Sequence, residues 1–126
     1  AAIHAGWRGL LAGVIENTTE SLTTPPSKIK AWIGPAISKS VYSVGNDLRK
    51  SFCRRNPYYG NFFVEIKNKI YFDLRGAVKY NLERSGISNV YQTSRCVYQE
   101  SESFFSFRRE KTADRMMGII WISDDP

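Results

Sequence analysis

The sequence predicts an α+β domain, and three observations carry that prediction. Short apolar runs alternate with period two, as in Ile29, Ala31 and Ile33 set against Lys28, Lys30 and Trp32, which marks strands with one buried face. Longer stretches repeat apolar residues every three or four positions, as in Leu74, Ala77, Val78 and Leu82, which marks amphipathic helices. Glycine and proline punctuate the change from one pattern to the other, at Pro25-Pro26, Gly34-Pro35, Asn56-Pro57 and Gly86. With 126 residues the chain forms one domain or part of one.

Taken in order, residues 1–3 form an apolar lead-in that reads as the end of a strand. That strand delivers His4 to a turn eased by Gly6 and Gly9. Leu10, Leu11, Val14, Ile15, Thr18 and Leu22 then predict one continuous helix. Residues 23–27 are a loop, because two prolines block helix continuation. A strand over 29–33 follows. Val44, Leu48 and Phe52 predict a helix ending near Arg55, with Cys53 packed beside its stripe. Residues 58–60 are a turn. Residues 62–66 and 70–72 predict a hairpin closed by Lys67-Asn68-Lys69. Asp73 is a fitting N-cap for the next helix, and Gly86 sits where that helix should stop. Residues 90–93 predict another strand. The run 116–122 is nearly all apolar, which predicts a central strand buried on both faces.

Composition bounds the function. A net charge of +6 makes an anionic partner worth weighing, but the basic residues are spread along the chain rather than gathered in one tract. A basic nucleic-acid-binding domain is the rival from a non-enzymatic class; no RNA- or DNA-binding motif accompanies the charge. No run approaches the ~20 apolar residues that span a bilayer. Gly6-Trp7-Arg8-Gly9 interrupts the start before the apolar segment of a signal peptide develops. Two cysteines, Cys53 and Cys96, do not make a disulfide framework, so a reduced, cytoplasmic setting is expected.

Chemistry concentrates at the start. His4 is the single histidine. Arg8 brings a planar donor fork suited to phosphate or carboxylate. A helix beginning beside them would offer unpaired amides to an anion. Phe104, Phe105, Phe107, Arg108 and Arg109 form a second block, able to stack a planar base and hold a phosphate together. Core aromatics flanked by surface arginines would give the same pattern.

The ordered series His4-Ala5-Gly6-Trp7-Arg8-Gly9, Trp32-Ile33-Gly34-Pro35-Ala36-Ile37, Tyr42-Ser43-Val44-Gly45, Tyr71-Phe72-Asp73-Leu74, Arg95-Cys96 and Phe104-Phe105-Ser106-Phe107-Arg108-Arg109 resembles the laccase-domain (YfiH-type) family. Members of that family are filed both as polyphenol oxidases and as purine nucleoside phosphorylases. The resemblance implies mixed β-sheet layers flanked by helices, with residues 1–126 as the C-terminal part of one such domain, truncated at its N-terminus. It also implies a zinc-dependent purine nucleoside phosphorylase acting on adenosine or inosine, with adenosine deaminase activity alongside. Purine nucleosides and phosphate are the implied partners, with no nucleic acid and no membrane; a homo-oligomer is compatible with it.

By the same resemblance His4 inherits a catalytic, metal-ligand role, and the other ligands belong to motifs upstream of this chain. Arg8 and one of Arg108 and Arg109 are implied to bind phosphate or substrate. A copper-dependent oxidase is the alternative, but a blue-copper centre needs two histidines and a cysteine. A Cys96–His4 nucleophile pair is a further alternative. The sequence departs from the family pattern at Val97 and at Ala113-Asp114-Arg115, where a threonine and a Thr-Gly-Arg are usual.

Overall fold

The computed structural model describes residues 1–123. Its most local feature is the hairpin between β3 (Phe63–Ile66) and β4 (Lys69–Phe72). Lys67 and Asn68 both take positive φ, 49° and 60°, so a two-residue turn matches the twist of the strands it joins. Ile66 is therefore paired with Lys69, and Phe63 with Phe72. β2 (Ser43–Val44) adds to the other edge of β4, giving an antiparallel sheet in the order β2-β4-β3.

A second sheet has two parallel strands, β1 (Lys30–Ile33) and β5 (Asn89–Gln92). Ala31, Ile33 and Val90 turn toward the core, while the paired Trp32 and Tyr91 face outward and are exposed. Between β1 and β5 the chain contributes α3 (Asn46–Arg55), the antiparallel sheet and α4 (Leu74–Arg84). Asp73 caps α4 by accepting the Gly76 amide at 2.9 Å. Gly86 ends it with φ +86°, a conformation that a side chain resists. α4 packs on β1 and β5 and on the helix Val14–Ser21.

The core is aromatic at its centre. Phe52 of α3 meets the rings of Tyr59 and Phe72 at 5.1 and 5.0 Å, and Phe63 stacks on Phe72 at 4.5 Å. Tyr59 lies in the 3₁₀ turn Pro57–Phe62 and donates its hydroxyl to buried Asn81 at 2.6 Å. Burying each such ring contributes about 1.5–3 kcal/mol.

Three expectations are corrected here. The first helix is broken into α1 (Trp7–Leu11) and α2 (Val14–Ser21), because Gly13 turns left-handed at φ +86°. The break shifts the helix phase, so Thr19 rather than Thr18 is buried and Leu22 lies outside the helix, 37% exposed. Arg55 fills the break, donating to the Leu11 carbonyl and pairing with Glu16 at 3.1 Å. Residues 1–3 are exposed coil rather than a strand.

The third correction concerns residues 116–122, which form no strand: Met117 is 84% exposed and Ile122 94%. No strand among the described residues offers them a ladder, and an apolar run without a partner has nothing to bury itself against. A smaller adjustment falls at Val44, which pairs in β2, so that α3 begins at Asn46. Both cysteines are free thiols.

Candidate functional site

The site grows from the turn before α1. His4 is exposed, and its imidazole lies close over the backbone of Gly6, where an added Cβ would stand 2.9 Å from Nε2. Glycine at this position lets the ring fold back over the chain. With five residues α1 is too short to present an anion site at its N-terminus, so the expected helix-amide contribution falls away. What remains is the cation. Arg8 is exposed and its guanidinium sits 4.5 Å from the Trp7 ring, a cation–π contact that steadies the fork.

Arg108 supplies a second cation from the other end of the chain. The meeting point is Tyr42, in the segment leading into β2, whose ring is buried against Phe72 at a centroid distance of 6.0 Å. Arg108 stands over that ring at 5.2 Å and donates to the Ser43 carbonyl at 3.1 Å. Burial pushes the Tyr42 phenol above its ordinary pKa, while the charges of Arg108 and Arg8 pull against it. Charges from opposite ends of the chain thus act on one hydroxyl, with Arg108 in contact with its ring. Sequence reasoning missed Tyr42; its signal was its place in the Tyr42-Ser43-Val44-Gly45 motif.

Arg109 does different work. Its fork donates to the carbonyls of Val97, Tyr98 and Phe104 at 2.6–2.8 Å and to Glu110 at 2.5 Å. Those bonds tie the loop 97–104 to α5 (Phe107–Glu110) and leave the pair's outward cation to be Arg108. The aromatics also divide. Phe104 is half-buried under Arg95 at 4.6 Å, while Phe105 and Phe107 are 50% and 59% exposed.

Arg75, also missed from the sequence, braces the strand ends by donating to the Thr93 carbonyl at 2.5 Å and the Ser38 hydroxyl at 2.9 Å. Cys96 is 4% exposed, and its Sγ accepts the Ser38 amide at 3.2 Å. Burial pushes its thiol up, and hydrogen bonds from Ser38, Gln99 and Tyr98 outweigh that and hold it below its ordinary value. These bonds, with the parallel bridge to Ala36, lock one loop to another. Cys96 is engaged by Ser38 as part of that fastening.

Among the described residues no group of three or more histidine, cysteine, aspartate or glutamate side chains could hold a metal ion. The donor set here therefore does not fit a zinc centre, which needs three protein ligands. Nor does a chain with one histidine supply a blue-copper ligand set.

Residues 1–123 match the family described as multi-copper polyphenol oxidoreductase laccase. The chain belongs to that family. Relatives named purine nucleoside phosphorylase YfiH, from Shigella flexneri and Escherichia coli, are each 38% identical over 122 residues. The match covers 97% of this chain and 50% of each relative. The Pseudomonas aeruginosa purine nucleoside phosphorylase PA4543 is 33% identical over 126 residues.

Among solved structures, Neisseria meningitidis protein NMB0706 superposes with a TM-score of 0.80 at 39% identity, covering 85% of this chain and 45% of that one. Bacillus licheniformis YfiH gives 0.77 at 30% identity, covering 86% and 43%. The chain spans about half the length of the curated relatives it matches. No helix among the described residues is long and apolar enough to cross a membrane.

Proposed function

We propose that this chain carries the phosphate-binding part of a purine nucleoside phosphorylase site, cleaving adenosine or inosine. The observation that carries the reading is Arg108 standing over the Tyr42 ring, with the charge of Arg8 acting on the same hydroxyl, which makes a small cationic corner. In phosphorolysis a phosphate oxygen attacks the anomeric carbon, the glycosidic bond breaks, and its electron pair leaves with the purine. The products are ribose 1-phosphate and, after protonation of the leaving nitrogen, the free base. Two guanidinia suit the nucleophile, because each can donate two parallel hydrogen bonds to a phosphate. Exposed Phe105 offers a ring face for the base, while the Phe107 ring already carries Lys111 and Arg115 over it at 5.4 and 5.3 Å.

His4 is proposed to act at the same corner. If zinc serves this site, His4 is the ligand that the described residues supply, and two more would have to come from outside them. Adenosine deamination, in which water replaces the exocyclic amine and ammonia leaves, is proposed as an accompanying activity on the family resemblance.

The test is phosphate-dependent release of free base. Adenosine or inosine should yield base and ribose 1-phosphate in equal amounts, and omitting phosphate should stop the reaction. Base released at an unchanged rate without phosphate would replace phosphorolysis by hydrolysis. Arg8→Ala should raise the KM for phosphate about tenfold or more, since a charged hydrogen bond contributes ~1.5–3 kcal/mol. An unchanged KM removes Arg8 from this role.

A further inference from the structure

We propose that the Tyr42 hydroxyl is a third contact of the Arg8–Arg108 corner and donates a hydrogen bond to the tetrahedral oxyanion held there. The inference rests on the phosphate reading above and adds a residue to it. Tyr42 is only 7% exposed, so its side chain is fixed by packing rather than by solvent. Its ring lies against Phe72, and its carbonyl accepts the Phe72 amide at 3.0 Å, which pins the backbone on the same strand that the ring covers. Arg108 is anchored beside it through the Ser43 carbonyl.

A phenol buried to this degree ordinarily finds a hydrogen-bond partner. Here the hydroxyl bonds to none of the described residues, and the one side-chain oxygen among them that is both sealed off and unpartnered is Glu16 Oε2. The Tyr42 oxygen therefore still reaches solvent. The charged groups that act on it are Arg108 and Arg8, with no carboxylate among them. An open donor with Arg108 over its ring, the charge of Arg8 acting on it and no carboxylate doing so is matched by an anion with several oxygens. A cation or an apolar group would leave all three donors unmatched.

The 126-residue chain, labelled with ¹³Cζ-tyrosine, tests this by titration with inorganic phosphate. The Tyr42 resonance is identified as the one absent from Tyr42→Phe. It should shift saturably with phosphate, and Tyr42→Phe should bind phosphate roughly three- to tenfold more weakly, the loss of one hydrogen bond. Without phosphate the variant should melt at the wild-type temperature, because the lost hydroxyl has no partner in the fold. Arg8→Ala should weaken phosphate binding and reduce the Tyr42 shift.

A Tyr42 signal that stays still at phosphate saturation, with Tyr42→Phe binding as tightly as wild type, overturns the Tyr42 assignment. If Arg8→Ala still loses phosphate in that experiment, the phosphate reading survives alone. If neither variant changes phosphate binding, both fall. Should Tyr42→Phe fail to fold, the Tyr42 resonance is assigned instead by replacing each of the other six tyrosines with phenylalanine in turn, and its response to phosphate decides.

Discussion

Two stretches of this chain have similar apolar character and opposite fates. Residues 63–72 hold Phe63, Ile70 and Phe72 in an antiparallel sheet, and Phe72 is completely buried. Residues 116–122 carry Met116, Met117, Ile119, Ile120, Trp121 and Ile122, and each is at least 46% exposed. The difference lies in pairing, not in hydrophobicity. Strands β2 and β3 flank β4 on both sides, and Phe52 covers it. No strand among the described residues flanks the later run. Apolar composition states a demand for burial; backbone partners decide whether it is met.

The comparison can be broken most sharply by truncating one side chain from each stretch. Phe72→Ala should cost about 3–5 kcal/mol in chemical denaturation, the range for removing a fully buried aromatic. Ile122→Ala should stay within about 0.5 kcal/mol, as for exposed positions. Equal losses from the two would mean that the later run is packed in solution.

A smaller effect is expected at the helix break. Gly13→Ala places a side chain at φ +86° and brings its Cβ to 3.1 Å from the Arg55 guanidinium. About 1–2 kcal/mol should be lost, the cost of a left-handed residue with a Cβ. A more stable variant would show that α1 and α2 prefer to run on as one helix.

The smallest effect should be read as pH dependence. Glu110 accepts the Ser106 amide and pairs with Arg109, and both hold its carboxyl below the usual value. Glu100 is held down in the same way by the Cys96 amide and Arg95. A lowered folded-state pKa contributes stability that is present above the unfolded carboxyl value, roughly 4.3, and fades as pH falls through the folded one. Glu110→Gln should therefore lower the melting temperature slightly at pH 7 and leave a flatter decline below pH ~4. An identical acid limb in variant and wild type would show that this carboxylate is not linked to folding.

What was legible in the sequence was local. The Asp73 cap, the Gly86 stop and the hairpin around Lys67-Asn68 each depend on a few neighbouring residues, and each appears. The strand pattern of 29–33 was legible too, because its buried and exposed faces alternate. The single helix over 10–22 was not, since its apolar spacing persists through Gly13 while the backbone turns there. The final strand failed because periodicity reports nothing about partners.

At the site, His4 and Arg8 stood out by residue type, but three-dimensional facts divided the rest. Arg108 and Arg109 are adjacent and identical in kind. Only the carbonyls of Val97, Tyr98 and Phe104 around one of them make it a brace. Tyr42 gained its interest from Arg8 and Arg108, which lie 34 and 66 residues away.

The central claim is that Arg8 and Arg108 hold one oxyanion between them, and a double-mutant cycle on inorganic phosphate binding measures it most directly. Arg8→Ala, Arg108→Ala and the double variant are titrated with phosphate against wild type. Each single change should weaken binding about tenfold, and the double should lose less than the product of the two, the sign of a shared ligand. Phosphate affinity unchanged in Arg108→Ala, or two losses that simply multiply, would contradict a common site.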